Sequence, residues 1–147
     1  MIRVYLDNCC YNRPFDDQES KRIFLETEAK LFIQEKIKNN ELELVWSFIL
    51  DFENNQNLDK QKKEEIFKFE KYSKIYFMGT DRTRESAEAF HSLGFKKKDS
   101  IHLACSIEAN CNFFITTDMG IIKKKALVTQ IQIINPIDFI IQIGEIQ

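Results

Sequence analysis

Five short apolar segments recur along the chain, each separated from the next by a longer stretch with helical spacing. Arg3 to Asp7, Leu42 to Trp46, Ile75 to Met78, Asn112 to Ile115 and the alternating Gln130 to Ile134 read as strands. In the first, Val4, Tyr5 and Leu6 are continuous and apolar, as expected of a strand buried on both faces, and the last alternates like an edge strand. Glu19 to about Asn39 reads as a helix with Ile23, Phe24, Thr27, Leu31, Ile33 and Ile37 on one stripe. Ser47 is placed as the N-cap of a short helix over Phe48 to Asn54. Further helices are expected over Asp59 to about Tyr72, Arg82 to Leu93 with Gly94 closing it, and Lys98 or Asp99 to about Ala109. A one-turn helix over Ile121 to Lys125 and a terminal helix after Asn135-Pro136 complete the series, while Asn12-Arg13-Pro14 with Asp16-Asp17 marks a loop. Strands alternating with helices predict one α/β domain over residues 1–147, built on a mostly parallel sheet of about five strands.

Composition excludes several other classes. Ile, Leu, Val and Phe supply 46 of the 147 residues, too many for a disordered chain. The longest apolar run is four residues, Ile75 to Met78, so no membrane span is expected. The opening MIRVYLDN carries charge where a secretory signal needs an apolar stretch. Cys9, Cys10, Cys105 and Cys111 show no Cys-x-x-Cys spacing and read as reduced thiols of a cytoplasmic protein, without a zinc site. The net charge of −2 argues against a surface that coats nucleic acid broadly, though it leaves room for a local basic rim.

In open α/β sheets ligands bind beyond the C-terminal strand ends, where the strand order reverses. Asp7 ends the first strand and Asp118 stands just past the fourth, so both project toward that edge. Asp99 sits in the first turn of the helix leading into the fourth strand, and Glu53 on the short helix after the second. Each acid has an ordinary alternative: a turn for Asp7 and Asp118, a helix cap for Asp99, a solvated face for Glu53, with Asp51 its rival on the other side of the helix. Together they form a cleft in which four carboxylates cannot all stay ionised without a counter-charge. Mg²⁺ or Mn²⁺, which take hard oxygen ligands and keep several waters, meet that need better than zinc.

Leu6-Asp7-Asn8, Ser47 with Glu53 six residues on, Lys98-Asp99-Ser100-Ile101-His102-Leu103-Ala104 and Phe114-Ile115-Thr116-Thr117-Asp118 resemble the PIN-domain family, in family order and over nearly the whole chain. The resemblance implies a three-layer α/β/α sandwich and a Mg²⁺- or Mn²⁺-dependent nuclease, most often an endoribonuclease. The commonest bacterial members, the VapC-like toxin ribonucleases, belong to two-gene type II toxin–antitoxin modules. It assigns Asp7, Glu53, Asp99 and Asp118 to the acidic quartet, with Asp7, Asp99 and Asp118 on the metal. Asn8 matches the small polar residue after the first acid, and Thr116 or Thr117 the polar residues before the last. Many members carry another acid one to four residues after the final Asp, where this chain has Met119, Gly120, Ile121 and Ile122, leaving one metal or two undecided.

Such a site hydrolyses a phosphodiester with a metal-activated water, Glu53 serving as a ligand or as acceptor of the water's proton. An acidic cleft meets a polyanion only across a basic rim, which Lys96-Lys97-Lys98, Lys123-Lys124-Lys125 and Arg13 would supply. Asn8, Arg13, Lys98, Thr117 and Lys124 are the expected nucleic-acid contacts, with Tyr11 and Phe15 available to stack on bases or to pack on the first helix. His102 orients a ligand or packs as a hydrogen-bonded core residue, and His91 reads as surface. The expected partners are an RNA substrate, an antitoxin covering the cleft and a second copy of the chain in a homodimer. Two other readings share these features: a degenerate PIN-like module that binds RNA or protein without turnover, and an RNA-processing nuclease that is not a toxin.

Overall fold

The computed structural model describes residues 1–146, and Gln147 lies outside the described residues. Strands β1 (Arg3–Leu6), β2 (Glu43–Ser47), β3 (Ile75–Phe77), β4 (Phe113–Ile115) and β5 (Gln132–Ile134) form one sheet in the order β3-β2-β1-β4-β5. Every pairing is parallel, with Tyr5 facing Val45 on one side and Phe114 on the other. The helices are α1 (Asn8–Asn12), α2 (Lys21–Lys38), α3 (Phe48–Asn55), α4 (Lys60–Phe67), α5 (Asp81–Ser92), α6 (Lys97–Glu108), α7 (Met119–Ile122) and α8 (Pro136–Ile146).

Side-chain alternation along the central strands divides the core into two layers. Tyr5 and its register partner Phe114 stack at 5.5 Å on the face covered by α6, and Tyr5 meets His102 of that helix edge-on. Phe113 points the other way and packs at 5.0 Å against Phe139 of α8, on which α2 also lies. Helices therefore cover both faces, the three-layer arrangement expected. The order of strands reverses at β1, whose neighbours β2 and β4 lead off in opposite directions, so the end of β1 opens on the crevice between α3 and α7.

Three expectations need correction. The stretch after Asp7 is helical at Asn8–Asn12 and continues into a 3₁₀ turn at Arg13–Phe15, rather than an open loop. Tyr11 is thereby buried against Trp46 and Phe69, leaving it unable to stack on a base, while Phe15 is 44% exposed. On α2 the buried positions are Glu26, Thr27, Ala29, Lys30, Ile33 and Ile37, while Phe24 and Leu31 face outward. Polar partners turned that helix: Glu26 meets Arg13 and Asn135, and Lys30 lies 4.2 Å from the centre of the Phe69 ring. The one-turn helix begins at Met119 rather than Ile121, because the Asp118 carboxylate caps it by accepting the Gly120 N–H at 2.7 Å.

Candidate active site

Asp7 is the residue at which β1 leaves the sheet. Its backbone N–H donates to the Ile115 carbonyl at the end of β4, which ties the two strand ends together at 2.9 Å. Its carboxylate is 5% exposed and accepts from the Asn8 N–H at 2.8 Å and the Thr116 hydroxyl at 2.8 Å. Thr116 in turn accepts the Asp118 N–H at 3.0 Å, so one hydroxyl fixes both strand-end acids. Of the two threonines, Thr116 therefore takes the polar position beside the acids. The Cys9 thiol completes the floor, 3.4 Å from Asp7 and from Thr116.

Asp99 enters from the first turn of α6, half-buried. Burial and the charges of Asp7 and Asp118 push its carboxyl up to about 6, against the opposing pull of His102 and Lys96. The cap of that helix is Lys96, which makes no side-chain cap bond, so Asp99 is not spent as a cap. Glu53, on α3, accepts from the Asn8 amide at 3.1 Å through one oxygen and from His102 Nε2 through the other. Burial disfavours its ionised form, but the His102 hydrogen bond and charge, helped by Lys98 and Asn8, hold its carboxyl below the usual range. Asp51 takes no part: it accepts from Trp46 Nε1 at 2.8 Å and from the Tyr76 hydroxyl, on the other side of α3.

Whether this donor set suits a hard divalent cation is a question of chemistry and of unfilled valence. The three aspartates offer only oxygen, and burial together with the charges of the other two raises Asp99. Asn8 adds an amide oxygen that is buried and has no protein partner, a free acceptor beside Asp7. Both features fit Mg²⁺ or Mn²⁺ with retained water. The acids are not drawn into a finished shell: among the described residues no three His, Cys, Asp or Glu side chains stand close enough together to hold a metal as they are.

The rim differs from expectation at three positions. Arg13 is not free to meet a phosphate, because its Nε and Nη2 donate to Glu26 at 3.0 and 2.9 Å and its Nη1 to Asp16 at 3.0 Å. Thr117 is 4% exposed, its carbonyl accepting from Arg22 Nη2 at 3.0 Å, so its side chain is withdrawn from a ligand. Lys124 donates to the Gly94 carbonyl and lies over the Phe95 ring. Lys98 remains exposed beside Glu53, 3.3 Å from the Gln56 amide oxygen. Arg22, which the sequence pattern did not single out, pairs through Nε with Glu26 at 3.5 Å and through Nη2 with the Thr117 carbonyl, and stays half exposed. Its visible signal was Glu26 four residues on, the i,i+4 partner of a cation in the first turn. A groove of about 960 Å³ between α5, α6 and the end of β3 contains none of the four acids and is separate from this site.

The five-stranded parallel sheet with helices on both faces is the α/β fold expected. A chain in the crystal structure of VapBC2 from Rickettsia felis, bound to a DNA fragment from its promoter, shares this fold with a TM-score of 0.59. The match covers 91% of this chain and 98% of that one at 12% sequence identity, a likeness of fold alone. No family model matches the chain, and no curated protein matches it. Among the described residues no helix is long and apolar enough to cross a membrane.

Proposed function

We propose that this chain is a Mg²⁺- or Mn²⁺-dependent endoribonuclease and the toxin of a type II toxin–antitoxin module. One observation carries the reading: Asp7 and Asp118 are held by the same Thr116 hydroxyl, and Asp99 at the start of α6 lies near enough that burial and their two charges push its carboxyl up. The motif resemblance to VapC-like toxin ribonucleases and the fold shared with VapBC2 support the same conclusion.

Asp7, Asp99 and Asp118 would hold the cation, beside the unpartnered amide oxygen of Asn8. The metal, when bound, supplies a water of lowered pKa and positive charge opposite the phosphate. Glu53, kept ionised by His102, would accept a proton from water at the site. Lys98 and Arg22 contact phosphates on either side of the acids and hold the polyanion over an otherwise repulsive cleft. An antitoxin segment covering the cleft and a homodimer complete the assembly.

The test is cleavage of structured and single-stranded RNAs by purified protein with Mn²⁺, Mg²⁺ or EDTA, beside Asp7→Asn and Asp99→Asn. Cutting that needs metal and vanishes in both variants supports the nuclease. Equal activity in the variants refutes this site. A second reading, an RNA- or protein-binding module without turnover, is favoured by Asp118, which spends an oxygen on capping α7 and has no acid among the four residues after it. Absence of both cutting and any Mn²⁺-induced thermal shift would select that reading.

A further inference from the structure

We propose that His102 is a positioning residue of this site: it holds the Glu53 carboxylate in place, and a buried Tyr5–Ser47 pair behind it fixes its ring. The inference rests on the nuclease reading for its functional consequence. His102 is 1% exposed, and Tyr5 and Ser47 are fully buried. Ser47 Oγ lies 2.6 Å from the Tyr5 hydroxyl, which lies 2.6 Å from His102 Nδ1, while His102 Nε2 meets Glu53. The four residues come from β2, β1, α6 and α3, so the chain of hydrogen bonds spans one face of the sheet and ends at the cleft.

The bond directions follow from the end groups. Glu53 is ionised and only accepts, so Nε2 carries a hydrogen. In the neutral ring Nδ1 accepts from Tyr5, which accepts from Ser47; in the charged ring Nδ1 donates to Tyr5, which donates to Ser47, and either way the chain of bonds is closed. The same Nε2 stands 3.9 Å from Asp7 Oδ1, so a single N–H lies between two acids of the site. A histidine serving only to fill the core would direct its polar edge at a core partner. This one directs it at the cleft, and Asn8 secures the other oxygen of Glu53 at 3.1 Å. Ser47 is accounted for by the same chain: it occupies the N-cap position of α3 but makes no side-chain cap bond, its hydroxyl being turned to Tyr5.

Partners that orient a ligand from behind are worth about tenfold to a hundredfold in activity or metal affinity. The test uses the full chain with His102→Leu, which removes the N–H, and His102→Gln, which keeps one near the Nε2 position. Histidine-selective ¹⁵N NMR on the metal-free protein reads the contact without any activity. The expected result is a protected Nε2–H signal that shifts in Glu53→Gln and broadens in Tyr5→Phe. In single-turnover cleavage of an RNA oligonucleotide with Mn²⁺, His102→Leu should lose about tenfold to a hundredfold in rate at unchanged KM, with His102→Gln recovering most of it. Combining His102→Leu with Glu53→Gln should be no slower than Glu53→Gln alone.

An unprotonated Nε2, or a signal indifferent to Glu53→Gln, overturns the inference even if the protein cuts RNA. So does a rate loss that multiplies in the double variant or that only follows the melting temperature. A protein that cuts nothing but shows the coupled Nε2–H signal refutes the nuclease while upholding the positioning contact.

Discussion

Lys30 makes the sharpest prediction about stability. Its side chain is 4% exposed on the buried face of α2, with Nζ 3.0 Å from Gln34 Oε1 and 4.2 Å from the centre of the Phe69 ring. Burial lowers its pKa from 10.5 to about 8. The folded state therefore gives up this proton before the unfolded state does. Between about pH 8 and 10.5 the unfolded chain binds the extra proton, so stability from this group rises with pH across that window. The full shift corresponds to roughly 3 kcal/mol, at about 1.4 kcal/mol per pKa unit. Tyr5, Tyr11, Cys10, Cys105 and Cys111 are raised by burial and act in the opposite sense at high pH. Comparison with Lys30→Met cancels all of these but Cys10, on which the Lys30 charge acts. Urea unfolding at intervals from pH 7 to 10.5 should show Lys30→Met more stable at pH 7, with the wild type gaining on it by about 3 kcal/mol at the alkaline end. With a urea slope of about 2 kcal/mol/M, that is a relative midpoint shift of roughly 1.5 M. A difference that stays flat to within about 0.5 kcal/mol would refute the reasoning and mean that the Phe69 face and Gln34 keep the ammonium charged.

Further outcomes test the scaffold and the rim. Glu26, fully buried, accepts from Arg13 and from Asn135 at 2.6 Å, and Glu26→Ala should cost about 3 kcal/mol, lowering Tm by roughly 10 °C in a thermal melt. Gly79 has φ +89° and a Cβ there would stand 3.0 Å from Phe48 Cε1, so Gly79→Ala should lose about 1–2 kcal/mol by urea titration. Arg22→Met should raise KM for an RNA oligonucleotide several-fold and flatten its salt dependence, with kcat nearly unchanged.

Much of the fold was legible because β1, β2, β3 and β4 are short continuous apolar runs, and nothing but a parallel sheet accommodates them between helices. The candidate acids were chosen by the same logic: acids at strand ends and at a helix start have only one edge of the sheet to share. What escaped detection depended on partners distant in sequence. The face of α2 was misjudged because Glu26 and Lys30 count as polar until Arg13, Asn135 and Phe69 are brought to them. Helix α1 was hidden by poor helix formers, Asn and Cys, ahead of Pro14. Arg13 and Lys124 looked like free cations because their acceptors, Glu26 and the Gly94 carbonyl, are separated from them by 13 and 30 residues.

The place of β1 in the middle of the sheet has a consequence for how the cleft can fluctuate. Edge strands fray cheaply, but the strand that carries Asp7 is paired on both flanks up to Tyr5, and the Asp7 N–H itself is held by the Ile115 carbonyl of β4. The hydrogens around Asp7 should thus be among the slowest in the molecule, and whatever loosens this corner must spend close to the whole free energy of unfolding. Geometry at the acids and integrity of the sheet are a single cooperative property.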